Sequence, residues 1–230
     1  MQPVILTCRS LEEYVVQAQN NMGTAFPVIA LDKRYHMEPK DMREQILSAT
    51  SDLSKTYSTI LVSMGFCGGS WDQVVAPCRI VIPRVDDCVS LLLQQGDEYC
   101  ANLKEMGHLY LYEKDPKESF FSRIGQGLDG MGGVPGMGGV DGIGNDDLDE
   151  LIDMYFGNYH YLDIIDTGYN DCYSEKYVAA AQEEADRIHM DLDYVEGGIH
   201  LLEKLVSGDW NEQFLVAEKG HLIRHGDFFE

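Results

Sequence analysis

The chain alternates between short, almost wholly apolar runs and longer segments with helical spacing. "PVILTC" (3–8), "FPVIALD" (26–32), "YSTILVSMGF" (57–66), "CRIVIP" (78–83) and "GHLYLYEK" (107–114) read as strands. "CRIVIP" is apolar at nearly every position, as expected of a strand covered on both faces. Between them, "LEEYVVQAQNN" (11–21), "MEPKDMREQILSATSDL" (37–53) and "DDCVSLLLQQGDEYCANL" (86–103) read as helices. Pro39 near the start of the second, and Asp86 or Asp87 as a cap of the third, suit helix N-termini. This rhythm predicts an α/β fold with an open, mostly parallel sheet flanked by helices.

A second set of elements follows. "DLDELIDMYFGNY" (147–159) begins a helix, and "YHYLDIIDTG" (159–168), "MDLDYVEGG" (190–198) and "QFLVAEKG" (213–220) read as strands. "SEKYVAAAQEEADRIH" (174–189) and "IHLLEKLVSGDW" (199–210) read as the intervening helices. The expected organisation is two Rossmann-like lobes, over 1–120 and 148–230, with a cleft at the C-terminal ends of their strands. The segment at 121–147 between them is a linker or loop. Its glycine-dominated stretch, 125–147, lacks the Lys-Ser/Thr ending of a phosphate loop and follows no strand, which argues against a nucleotide site there.

Charge narrows the function classes. Acids outnumber bases 39 to 17, for a formal charge of −22. Nucleic acid and anionic membrane surfaces are poor partners for such a chain, because both need clustered Lys and Arg. No run approaches the roughly 18–20 apolar residues that cross a bilayer. The N-terminal residues carry no basic leader or apolar signal core, so a cytoplasmic location with reduced thiols is expected. Whether the chain forms a homo-oligomer is left open.

Parallel topology brings the loops after successive strands to one edge of a sheet, where ligands of open α/β folds bind. Cys8 follows the first strand, His36 the second, Cys67 the third, and Cys88 the fourth. Three Cys and one His form a closed zinc set, and three Cys with a vacant position suit an iron–sulfur cluster with one accessible iron. No Cys-x-x-Cys pair occurs, so two further readings stand beside metal ligation. One is a metal-free enzyme with Cys67 or Cys88 as nucleophile or acid/base, acting on a small molecule with Asp166 across the cleft. The other is burial of thiols as small core residues. Gly65, Gly68 and Gly69 let a ligand approach the main chain around Cys67. Arg84 is expected to pair with an anion or the thiolates, and the helix dipole to favour the Cys88 thiolate. Asp86 and Asp87 either cap that helix or orient His36.

Asp166 and Thr167 end one strand of the second half, where Asp166 is the better site candidate; Glu196 reads as a solvated turn residue. Cys78, Cys100 and Cys172 fall outside the pattern, Cys100 with helical spacing to a core and Cys172 in an exposed turn. His221 and His225 lie in a polar tail and are expected to face solvent.

At "GFCGGS" (65–70), "VIPRVDDCVSLLL" (81–93), "IDTGYND" (165–171) and "LLEKLVSGDW" (201–210) the chain resembles the domain of unknown function numbered 1638, a family found in methanogens and other anaerobes. The resemblance runs through both halves. The family's Gly-x-Cys-Gly loop is matched by Gly65, Cys67 and Gly68, and its Ile-Pro-Arg-x-x-Asp-Cys stretch from Ile82 to Cys88. Cys8 and His36 match an early Cys and a His after the second strand. Two departures stand out: "LYEKDPKESF" occupies the place of a frequent Thr-Pro-Gly-Trp stretch, and the Gly/Met insert is generally absent from the family. Members often accompany corrinoid-dependent methylamine methyltransferases. The resemblance therefore implies an accessory role in anaerobic methyl-group metabolism, with a corrinoid protein or methyltransferase as partner. In that setting the Met-rich loop is a contact surface, and the chain is either an enzyme or a non-enzymatic binding module.

Overall fold

A computed structural model of the chain describes residues 2–32, 35, 39–119, 152–154 and 156–230. The glycine-rich segment and His36 lie outside the described residues.

The first sheet is built from β1 (Val4–Cys8), β2 (Val28–Leu31), β3 (Thr59–Ser63) and β4 (Arg79–Pro83), with β8 (Phe214–Ala217) at its edge, in the order β2-β1-β3-β4-β8. The first four strands are parallel, in registers such as Leu6 opposite Ile29 and Val62, and Ile60 opposite Ile80. All five residues of β1 are buried, as are four of five in β3 and in β4. This is the expected consequence of apolar runs covered on both faces. Helix α1 (Glu12–Met22) ends at Gly23 in the left-handed region, and α2 (Pro39–Leu53) connects β2 to β3.

The second sheet, β5 (His108–Leu111), β6 (Tyr161–Asp166) and β7 (Asp191–Glu196), is wholly parallel in the order β5-β6-β7. Helix α4 (Glu175–Arg187), capped by the Ser174 hydroxyl, packs its Tyr177, Ala181 and Ala185 into a core with Leu111, Leu162 and Ile164. The protein is thus an α/β molecule with two mostly parallel, helix-flanked sheets.

Three expectations change. The helix expected over 86–103 is α3 (Cys88–Leu93), a single short segment. It stops where Gln94 turns extended, and the Gln94 amide then donates to the carbonyls of Gly96 and Glu98, organising an irregular stretch instead. Cys100 is exposed as a result. The strand at 213–220 does not join the second sheet. It is β8, antiparallel to β4, and it closes an edge that four buried apolar residues would otherwise leave unpaired. The two compact units are accordingly Met1–Leu103 with Gly198–Glu230, and Lys104–Gly197. This division differs from lobes over 1–120 and 148–230: β5 belongs with the second unit, and the chain from Gly198 returns to the first. That returning segment carries α5 (His200–Ser207) and the short C-terminal α6 (Gly226–Phe229). No helix among the described residues is long and apolar enough to cross a membrane.

Candidate functional site

Because β1, β3 and β4 are parallel, their following loops share one edge of the first sheet. Cys8 is the last residue of β1 and fully buried; its Sγ lies 3.0 Å from the Ser10 hydroxyl. The chain turns there into α1.

The loop after β3 is held against the loop after β4. A Cβ at Gly65 would fall 2.6 Å from the Asp87 backbone nitrogen and 2.8 Å from the Val85 carbonyl, so only glycine allows this approach. The Phe66 N–H donates to the Val85 carbonyl at 2.8 Å and the Cys67 N–H to the Asp86 carbonyl at 2.7 Å. Between these anchors Cys67 adopts φ +48°, followed by Gly68 at +64° and Gly69 at +90°. Left-handed backbone at a residue with a Cβ costs about 1–2 kcal/mol, so Cys67 stands where glycine would be the relaxed choice. The Ser70 hydroxyl donates to the Cys67 carbonyl at 2.7 Å and closes the turn. The Phe66 ring anchors it from behind, tilted on Phe228 at 4.8 Å and edge-on to His225 and Phe229.

After β4, Asp87 caps α3: its Oδ1 accepts from the N–H groups of Val89 and Ser90 at 2.9 and 3.1 Å. This places Cys88 in the first helical position, buried. Its thiol meets the thiols of both Cys67 and Cys8. Those two neighbours, and then burial, push the Cys88 thiol well above its ordinary pKa. The expected dipole-favoured thiolate is thus reversed. The helix has only six residues, and the two neighbouring thiols and burial outweigh its dipole.

The structure therefore brings Cys8, Cys67 and Cys88 together. All six cysteines are thiols. Among the described residues, no three His, Cys, Asp or Glu side chains stand in the arrangement of a formed metal site. Cys67 is half-buried and Gly68 exposed, so the centre is reached from the loop tip.

Other expected site residues lie elsewhere. Arg84 does not face the thiols. Its guanidinium donates to the carbonyls of Asp227, Glu212 and Glu230 at 2.8–3.1 Å and stacks over Tyr99 at 4.2 Å, which fastens the C-terminus to the first unit. With all three of its nitrogens donating to backbone carbonyls, Arg84 is a structural clamp rather than an anion ligand. Asp166 ends β6 in the second unit, where its carboxylate accepts from the Gly168 N–H at 2.9 Å and the Tyr173 hydroxyl at 2.8 Å. Those bonds hold it below the usual carboxylate range. Cys172, expected in an exposed turn, is buried, and burial pushes its thiol up to about 11. Cys78 precedes β4, at the opposite edge from the three thiols. His221 is not simply solvated, since it pairs with Asp227 at 2.9 Å, and His225 stacks on Phe229.

Sequence reasoning missed two contributors to this edge. One is Arg43, whose Nη2 donates to the Gly69 carbonyl at 2.8 Å. The other is the C-terminal aromatic pair behind Phe66. Neither has a local signal: Arg43 reads as one polar position of an amphipathic helix.

The family model described as "Protein of unknown function (DUF1638)" matches residues 30–206, more than half of the chain, and the chain belongs to that family. The matched span contains Arg43, Cys67 and Cys88 and begins after Cys8. No curated protein and no solved structure matches the chain.

Proposed function

We propose that this member of the family uses Cys8, Cys67 and Cys88 as thiolate ligands of a metal centre, zinc or an iron–sulfur cluster, at the C-terminal edge of the first sheet. His36 is the fourth ligand or a group that hydrogen-bonds the ligands. The observation that carries this reading is the convergence of three thiols from three separate strand-end loops, one of them on a left-handed residue. Thiols serving only as core filler have no need of a strained backbone, and a disulfide has no use for a third sulfur. Three thiolates match the donor set of a Cys₃His zinc site, or of a cluster with one iron left open. A thiophilic cation would release the protons that neighbouring thiols and burial now hold, so its binding would be pH-dependent. The open loop tip gives a small substrate access to such a Lewis acid or redox centre. In the methyl-group setting implied by the resemblance, the centre would exchange electrons with a corrinoid partner.

Anaerobic purification with zinc, iron and sulfide analysis tests this. About one equivalent of zinc, or iron with matching sulfide, is expected. A protein with intact thiols that takes up neither on reconstitution overturns it. One observation favours a second reading: Cys67 is the most accessible of the three thiols. Stoichiometric alkylation at Cys67 in protein that binds no metal would make it the nucleophile of a metal-free enzyme.

A further inference from the structure

The turn that carries Cys67 has a surplus of buried hydrogen-bond donors. The bond from Arg43 to the Gly69 carbonyl sets its guanidinium against the turn, two residues past Cys67. The Arg43 Nε–H is buried and meets no acceptor among the described residues. On the same stretch of chain, the Trp71 indole nitrogen and the Ser63 hydroxyl are also buried without a partner among the described residues. Both of those side chains are essentially inaccessible. A charged N–H withdrawn from water and given no acceptor is costly, and a guanidinium presents its donors as a planar fork matched to oxyanions. The chain as a whole, with 39 acids against 17 bases, repels anions at long range. An anionic ligand would therefore need a local, partly desolvated cation, and Arg43 is one, beside a turn whose tip is open to solvent.

We infer that Arg43 recognises a small oxyanion, the carboxylate or phosphate group of a ligand, and holds that ligand beside Cys67. This deepens the thiol-centre reading and rests on it for the role of the bound ligand; the anion contact itself requires no metal. The Gly69 carbonyl orients the guanidinium through Nη2, leaving Nε–H as a donor to the anion.

The test titrates full-length, uniformly ¹⁵N-labelled protein with acetate and, separately, inorganic phosphate, at ionic strength held constant with sodium chloride. The expected result is a saturable shift of the Arg43 Nε–H resonance, assigned by its loss in Arg43→Lys. The anion with the tighter response identifies the ligand group. In Arg43→Gln, affinity read at the Gly69 amide is expected to fall about tenfold or more, as for loss of a charge-assisted contact. Unchanged amide shifts in β4 and β8, in the unit that carries Arg43, verify folding of the variant, while the wild-type titration stands without it. A shift that never saturates with either anion overturns the inference, as does unchanged affinity in a folded Arg43→Gln. Metal analysis of the same samples separates the two readings. Anion binding by protein that takes up no zinc or iron overturns only the metal centre, and metal uptake without an anion response overturns only Arg43.

Discussion

The two parallel sheets end in strand-end turns that occupy equivalent positions in their units, yet they use their polar groups in opposite ways. In the second unit each group is spent on its own turn. Asp166 accepts from the Gly168 N–H and the Tyr173 hydroxyl, and Thr167 bonds the Asn170 side chain. Asn170 in turn donates to the Ile165 carbonyl at 2.8 Å. In the first unit the turns bond one another through their backbones, Phe66 to Val85 and Cys67 to Asp86, and the side chains at their tips are left to meet as three thiols. The C-terminal edge of a parallel sheet is a place where a site can be built. It becomes a candidate site where neighbouring loops brace each other through their backbones, so that side chains from separate turns can meet.

The sharpest way to break that contrast is to remove a thiol. Cys67→Ala or Cys88→Ala is expected to reduce bound metal from about one equivalent to about a tenth or less, because three ligands become two. Asp166→Asn is expected to leave it unchanged. Equal metal content in all three variants, measured by elemental analysis, would place the centre elsewhere.

Next in size is the brace itself. Gly65→Ala drives a Cβ into the Asp87 backbone and is expected to cost about 2–3 kcal/mol in urea denaturation, as overpacking does. Gly168→Ala, at φ +75° with no atom within 4 Å of its Cβ, meets only the backbone penalty, about 1 kcal/mol. Similar costs at the two positions would mean that the loops of the first unit do not depend on close approach.

Smaller still is the Asp87 cap. Asp87→Ala is expected to cost about 1 kcal/mol and to lower metal affinity through Cys88, which begins the helix. Ser174→Ala is expected to cost a similar amount in the second unit with no effect on metal. Both are read from denaturation midpoints alongside metal competition.

The smallest effects are in pH dependence. Asp166 is held below its ordinary range by the Gly168 N–H and then Tyr173. Its contribution is therefore present above the unfolded carboxylate pKa and lost as pH falls through the depressed folded value. Cys172 goes the other way. Raised from 9.0 to about 11 by burial, it contributes stability that is full below pH 9 and lost as pH rises towards about 11. In the denaturation midpoint, Asp166→Asn should flatten the acid limb and Cys172→Ala the alkaline limb. Unaltered limbs would show that these turns do not hold the charges as described.

Much of this was legible in the linear pattern. The buried strands β1, β3 and β4 are short apolar runs, and their order placed Cys8, Cys67 and Cys88 in loops at one edge. The Asp-Asp pair before Cys88 announced a cap, and Asp87 makes it. What misled was local periodicity read without partners. Cys100 kept helical spacing with Leu93 and Leu103, but Gln94 ends the helix by bonding the carbonyls that follow. Arg84 beside a cysteine-bearing loop looked like an anion ligand, until the C-terminal carbonyls of a segment more than a hundred residues away took its donors.

The sequence by itself determined most of the strands and helices, that mostly parallel sheets flanked by helices form, and which loops carry thiols. Those properties follow from apolar periodicity and from the constraint that parallel strands expose their following loops on one side. Only the tertiary structure decided that β8 closes the first sheet, that Gly65 lets one loop press on another, that three thiols touch, and that Arg43 sits against their turn with an unspent donor. Each of these depends on a partner distant in the chain, and neither hydrophobic pattern nor residue spacing specifies a distant partner.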